Sequence, residues 1–267
     1  MMSLTSRLKA VLWDVDGTLA ETERDGHRVA FNLAFETLGV PWRWDEAHYG
    51  ELLGVTGGRE RLLHDMTRRS DAPALAEERQ ALARALHARK NQLYGELVRA
   101  GGIPLRPGVA DLMTQCLHEG VRMGIVTTTS RANVEALLGV HLGARWATWF
   151  DVIVCGEDVA RKKPDPEAYL TALAALRLGP LATLALEDSP GGVAAACAAE
   201  VPVVVTRSAY FEHATIEGAI AIGPGLHQRA GWRPPLPGRT TEQGQGPVTL
   251  EDLVTWHAQM DTVSQFG

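Results

Sequence analysis

The chain has 267 residues, of which 45% are hydrophobic and 22% charged, and 26 basic against 32 acidic side chains leave a net charge of −6. That is the composition of a soluble globular protein long enough for one large or two modest domains. The acidic balance argues against nucleic acid as a partner and gives no polybasic membrane signal.

The three cysteines, Cys116, Cys155 and Cys197, are scattered, and they read as small buried hydrophobes rather than a disulfide set or a zinc site. No apolar segment approaches membrane-spanning length and the start carries no secretory pattern, so a cytoplasmic enzyme, monomeric or a small homo-oligomer, is the expectation.

The first predicted element is a buried strand over residues 8–13, a mostly apolar run that stops at Asp14 and Asp16. Residues two apart on an extended chain face one side, so both carboxylates project from the carboxyl end of that strand. There one could bind a hard cation and attack phosphorus while the other handles a proton.

From residue 23 to residue 99 only helical periodicity follows. Val29, Leu33 and Leu38 are read as one face, then Leu52 and Leu53, then Leu62, Leu63 and Met66, then Leu75, Leu82, Leu86, Leu93 and Leu97. This predicts four or five inserted helices. Trp42, Trp44 and Tyr49 read as their packing, and Arg68, Arg69, Arg89 and Lys90 as solvated faces. Gly57 and Gly58 open one helix, and their N–H groups with the Arg59 guanidinium could grip an anion.

The Gly- and Pro-rich residues 101–108 read as the return to the core. Helices and strands then alternate, which predicts a parallel sheet with helices on both faces. One strand ends in Thr127, Thr128, Thr129 and Ser130 at a helix start. A helix over 168–178 follows Lys162, Lys163 and Pro164. The run 181–186 ends in the pair Glu187 and Asp188, donors suited to an oxygen-loving cation, and 201–205 is a further strand. Residues 223–247 read as a surface loop, and 250–260 as a short helix capped by Thr249 with Asp252 three residues on.

Four motifs in this order, each at a strand-to-loop junction, resemble the haloacid dehalogenase superfamily, whose members mostly transfer phosphoryl groups through an aspartyl-phosphate. The resemblance implies an α/β fold. Its Rossmann-like core spans 1–20 and 101–267, and an all-helical C1-type cap spans 21–100. It also implies Asp14 as nucleophile and Asp16 as general acid and base. Thr127 and Lys163 would hold the phosphate. Mg²⁺ would sit among Asp14, the Asp16 carbonyl, Glu187 and Asp188. Specificity would lie in the cap, where Glu21 and His27 could meet the sugar.

The stretches 14–23, 56–59, 127–130 and 162–165 are similar to the CbbY branch, with Trp13 where Phe is usual. Members of that branch are similar to phosphatases that remove xylulose 1,5-bisphosphate, an inhibitor of the carboxylating enzyme in carbon fixation. For a bisphosphate, Gly57, Gly58 and Arg59 are candidates for the second anion site, with Thr127, Thr128 and Lys163 at the first. A β-phosphoglucomutase-like mutase, a phosphoglycolate or general sugar-phosphate phosphatase, and a non-catalytic phosphate sensor are the alternatives.

Overall fold

Six short strands form a parallel sheet: β1 (Ala10–Trp13), β2 (Arg122–Val126), β3 (Val152–Val154), β4 (Thr183–Glu187), β5 (Val203–Thr206) and β6 (Ala221–Gly223). Their spatial order is β3-β2-β1-β4-β5-β6. The computed structural model describes residues 7–236 and 246–263.

Parallel strands are covered on both faces and therefore read as unbroken apolar runs. Each face has its own core. Val11, Trp13, Ile125, Leu184 and Leu186 contribute to one, and Ala10, Leu12, Val126, Ala185, Val203 and Val205 to the other. The chain leaves β1 toward β2 and β3 on one side and toward β4, β5 and β6 on the other. β1 is thus the point where strand order reverses, and open α/β sheets bind ligands at the carboxyl end of such a point. Trp13 lies beside Ile125 and Leu186, so Asp14, Thr127 and Glu187 emerge together.

Around the sheet lie α5 (Val109–His118), α6 (Arg131–Leu142), α7 (Glu167–Leu176), α8 (Pro190–Ala198) and α9 (Leu250–Val263). Between β1 and α5 come a π-helical turn (Glu23–His27), α1 (Arg28–Thr37), α2 (Glu46–Leu52), α3 (Gly58–Met66) and the long α4 (Ala76–Arg99). These inserted helices bury an aromatic cluster. The Trp44 ring centre lies 4.8 Å from that of Phe31, tilted, and 5.0 Å from that of Phe35, edge to face, and Trp42 and Tyr49 close the cluster at its edges. Such pairs add about 0.5–1.5 kcal/mol each beyond simple burial. Among the described residues, no helix is long and apolar enough to cross a membrane.

The buried face of α1 is Ala30, Phe31, Ala34 and Phe35, while Leu38 is 44% exposed. The aromatic cluster, not the aliphatic spacing, decides which side of α1 turns inward. Lys90 is not solvated but buried on α4. Cys197 is exposed, unlike Cys116 and Cys155. The strands β3 and β6, three residues each, are too short to announce themselves by pattern.

The segment after β6 is no simple surface loop either. Leu226 and Trp232 are buried, Arg233 pairs with Ile222, and the Trp232 ring stacks on Trp256 of α9 at 4.7 Å. Residues 237–245 of the expected loop lie outside the described residues. At the start of α9 it is the Asp252 side chain that reaches back: its Oδ2 accepts from the Thr249 N–H at 2.8 Å and from the Thr249 hydroxyl at 3.0 Å.

Because Trp232 fills the edge of the core rather than covering it, Trp232→Ala is expected to lower unfolding stability by about 3 kcal/mol. Urea denaturation measures this. A loss under about 1 kcal/mol would mean that the segment packs only loosely.

Candidate active site

The carboxyl ends of β1 and β4 place three carboxylates in one buried group, and the loop between β3 and α7 adds a lysine. Asp14, Glu187 and Asp188 each offer an oxygen, and these oxygens lie within 4.8 Å of one another. Lys163, 5% exposed, donates to Asp14 Oδ1 at 2.8 Å, to Glu187 Oε1 at 2.5 Å and to the Val126 carbonyl at 2.7 Å. Tyr169 on α7 donates to the same Glu187 oxygen at 2.5 Å, leaving Glu187 Oε2 buried without a partner. Ser208 after β5 donates to Asp188 Oδ2 at 2.5 Å. The turn carrying Asp16 closes on this group only because Gly17 has no side chain. Its φ is +87°, and a Cβ there would stand 1.9 Å from Asp188 Oδ2.

Burial is the dominant force on these titrations. It raises Asp14 to about 8 despite the opposing Lys163, with Glu187 and Asp16 adding to the rise. It also pushes Asp188 well above the usual carboxylate range, helped by the Asp14 charge. Lys163 goes the other way: burial would lower it, but Asp14 and Glu187 outweigh that and hold it protonated. Three buried carboxylates against one buried ammonium leave an excess of negative charge, which favours either protons or a bound cation.

Asp16 sits in a different environment. It accepts from the Thr22 hydroxyl at 2.6 Å and lies 3.0 Å from His27 Nε2. Burial alone would raise its carboxyl, yet His27 and Thr22 outweigh it and hold Asp16 at about 2. The two aspartates of the motif are therefore driven in opposite directions by their surroundings.

Thr127, directly after β2, is buried, and its hydroxyl oxygen accepts from the Thr129 N–H at 3.2 Å, leaving its own proton to donate. Thr128 lines the cleft above. Ser130 instead caps α6, accepting from the Asn133 N–H.

The cleft between sheet and inserted helices is a cavity of about 390 Å³. Asp16, Glu23, His27, Arg59, Lys90 and Lys162 are among its lining. Gly57 and Gly58 line it too. Gly57 has φ +98°, and a Cβ there would strike Glu60 Oε2 at 2.2 Å. Glu60 in turn pairs with Lys162 at 3.2 Å, so Lys162 joins α3 to the loop before Lys163 rather than standing solvated. Arg59 is exposed at the cleft mouth and, among the described residues, makes no hydrogen bond or ion pair. Its neighbour Arg61 is buried instead, donating to Tyr49 Oη at 2.7 Å and lying 3.4 Å from Glu23 Oε2.

Lys90 was missed by sequence reasoning. Its ammonium lies 5.3 Å from the ring centres of both Phe31 and Tyr94. Burial lowers it to about 8 against the pull of Asp16 and Glu23. It stands four residues after Leu86 and three before Leu93, on the apolar stripe of α4, so its spacing marked it as inward-facing. Beside it His87 is lowered by burial and by Lys90 to about 4, and is neutral at ordinary pH. Glu21 does not line this cleft. It lines a separate cavity with Arg106 and Arg207, and its Oε2 accepts from the Ala209 N–H at 3.1 Å.

Comparison with known proteins agrees with this geometry. A family model described as haloacid dehalogenase-like hydrolase matches residues 8–200. The plasmid-encoded CbbY protein of Cupriavidus necator is 40% identical over 250 residues, covering 94% of this chain and 97% of its own. The crystal structure of CbbY from Rhodobacter sphaeroides with phosphate superposes with a TM-score of 0.74 at 42% identity, covering 79% of this chain and 92% of that one. A mutant of the same protein in complex with xylulose-(1,5)bisphosphate matches with the same TM-score at 41% identity and the same coverage. The chain belongs to the haloacid dehalogenase-like hydrolases, among them to the CbbY proteins, and it is a phosphatase.

Proposed function

We propose that this phosphatase is Mg²⁺-dependent, works through an aspartyl-phosphate on Asp14, and hydrolyses a sugar bisphosphate, with xylulose 1,5-bisphosphate as the substrate. The observation that carries the reading is a pair of adjoining cavities, sharing Asp16, Glu23, Gly57, Arg61 and Thr128 in their lining, with anion-binding groups in each. Lys163 and Thr127 lie at the floor, and Arg59, Lys90 and Lys162 line the space under the inserted helices. A monophosphate would need only the floor. The complex of the Rhodobacter sphaeroides relative with xylulose-(1,5)bisphosphate supports the choice of sugar. As the resemblance implies, the biological task would be removal of an inhibitor of carbon fixation.

The donor set fits a hard divalent cation. Asp14, Glu187 and Asp188 offer clustered oxygens, Glu187 Oε2 has no other partner, and the charge of the group is negative in excess. The Asp16 carbonyl would complete the set. Mg²⁺ there would neutralise charge on the nucleophile and on the phosphoryl oxygens.

The remaining chemistry belongs to side chains of this chain. Lys163, fixed by three acceptors, presents a charge beside Asp14 and offsets the charge of the transferred group. Thr127 and the N–H groups at the start of α6 donate to equatorial oxygens. Asp14 attacks phosphorus in line and becomes the acyl phosphate. Asp16 gives a proton to the leaving sugar oxygen. It then takes one from the water that opens the acyl phosphate, which returns Asp14 and inorganic phosphate. A resting Asp16 near 2 suits the second step. The approach of a phosphate dianion raises a neighbouring carboxyl, and this supplies the proton for the first. His27 and Thr22 hold the carboxylate in place between the two steps.

Asp14→Asn is expected to lower kcat by at least about 10⁴-fold with the fold intact by circular dichroism. Appreciable residual turnover would remove Asp14 as nucleophile.

Phosphate release should depend on Mg²⁺ and favour xylulose 1,5-bisphosphate by about 100-fold or more in kcat/KM over ribulose 1,5-bisphosphate, phosphoglycolate and β-glucose 1-phosphate. Flat activity across that panel would leave the phosphatase and remove the substrate. Isomerisation of the glucose phosphate without net release would make the enzyme a mutase.

Lys90, lowered to about 8, is cationic below that pH and neutral above it. Its contribution to holding an anion is therefore present at neutral pH and lost as pH rises through about 8. In the wild type kcat/KM for the bisphosphate should fall above about pH 8. In Lys90→Met it should be about tenfold lower or less at pH 7 and should lack that limb. An unchanged pH profile in the variant would take Lys90 out of the anion site.

A further inference from the structure

Arg106 stands three residues before α5, in the segment that returns from the inserted helices. Its main chain pairs with the outgoing connection: its N–H donates to the Leu19 carbonyl at 2.7 Å, and Ala20 bridges Leu105. Its side chain is 12% exposed and fans into four main-chain carbonyls. Nη1 donates to Gly17 O and, at 3.0 Å, to Thr206 O. Nη2 donates to Arg207 O at 2.6 Å and to Pro224 O at 3.2 Å. Nε lies 3.6 Å from Glu21 Oε1.

Two of these partners, Gly17 and Arg207, lie beside Asp188 or next to a residue that touches it. Gly17 directly follows Asp16 and comes so close to Asp188 that a Cβ would overlap its carboxylate. Ser208 directly follows Arg207 and donates to Asp188 Oδ2. Glu21, expected from the sequence to meet substrate, joins the same group. One of its oxygens faces the guanidinium, and the other accepts from the Ala209 N–H, next to Ser208.

We propose that Arg106, held by Glu21, is a positioning residue that fixes the Gly17 turn and Ser208 on either side of Asp188. In this way the connection to the inserted helices sets the geometry of the cation site. The inference rests on the Mg²⁺ reading of Asp14, Glu187 and Asp188.

Only a planar fork with five donors spans these acceptors at once. A lysine ammonium has three donors about a single point and leaves carbonyls of the loop unpaired. The catalytic turn would then relax by a fraction of an ångström, and displacements near 1 Å cost about 100-fold in rate. Support from outside the ligand shell typically changes metal affinity by about 10–100-fold.

The test uses the full chain with Arg106→Lys and Glu21→Gln. Mg²⁺ affinity is read by calorimetry without substrate. The values of kcat and KM are measured separately on a phosphate ester that the wild type turns over, and melting temperature is recorded alongside. Arg106→Lys should weaken Mg²⁺ binding about tenfold and lower kcat about tenfold, with KM within about threefold of wild type. Glu21→Gln should shift both in the same direction by less. Guanidinium ion added to Arg106→Ala should recover part of its kcat; where that variant does not fold, the other two decide.

A lowered melting temperature with wild-type Mg²⁺ affinity and kcat would make Arg106 merely structural and overturn the proposal. So would a change confined to KM. Wild-type Mg²⁺ binding is measured first. Its absence would overturn the cation reading together with the clamp that serves it. Binding that is intact in the wild type and unchanged in Arg106→Lys would overturn the clamp alone.

Discussion

The Lys163 ammonium buried between Asp14 and Glu187 is the interaction on which the site depends. An ammonium and two carboxylates taken out of water each carry a desolvation penalty of several kcal/mol, and only close, well-aligned pairing offsets it. All three donors of Lys163 are used: two on carboxylates and one on the last carbonyl of β2. Three strands must therefore end at one level for the lysine to be satisfied, and the parallel register of β1 with β2 and β4 provides that. Tyr169 completes the arrangement from α7 by donating to Glu187, so the core beneath the sheet connects directly to the carboxylate cluster above it.

The inserted helices solve a different problem, which is how to keep positive charge in a cavity without neutralising it beforehand. Lys90 is held by two aromatic faces instead of a carboxylate. Cation–π contact stabilises an ammonium without removing its capacity to donate to a ligand. Arg61 illustrates the contrary choice. It is tied to Glu23, Tyr49 and two carbonyls, and so it braces the helices rather than standing ready for an anion. The aromatic cluster that buries the inner face of α1 is also what places Phe31 beside Lys90, so packing and charge placement here share residues.

What could be read from the sequence follows from how locally each feature is encoded. The strand ends carrying Asp14, Thr127 and Glu187 were legible because a buried parallel strand is an apolar run and its abrupt end is polar. Lys163 was found by its place beside a proline in a known pattern. The inward face of α1 was misread because aromatic residues at 31 and 35, not the aliphatic ones at 29, 33 and 38, find partners across the helices. The short strands β3 and β6 are made by their neighbours and carry too few residues for a period. In the sequence Glu21 reads as facing a substrate because it adjoins the turn that carries Asp14 and Asp16. Its partner Arg106 is 85 residues away, and no local pattern links the two. Trp232 was hidden in a stretch whose Gly and Pro content spoke for solvent, whereas a single large ring was enough to draw it inward.

The two motif aspartates sit in opposed environments. Both leave the same strand two residues apart, yet Asp14 faces two further carboxylates in the dry floor, and Asp16 faces a histidine and a hydroxyl. The first is pushed up to about 8 and the second down to about 2. Groups whose environments separate their titrations in this way take separate roles in acid–base chemistry. In the proposed mechanism a raised Asp14 holds its proton near neutral pH and is quiet until a cation in the carboxylate cluster displaces that proton, which ties its nucleophilicity to the occupancy of the cluster. A lowered Asp16 stays ionised until a phosphate draws near, which ties its acidity to the presence of substrate. In the proposed mechanism the same two shifts make reaction conditional on both the cation and the substrate.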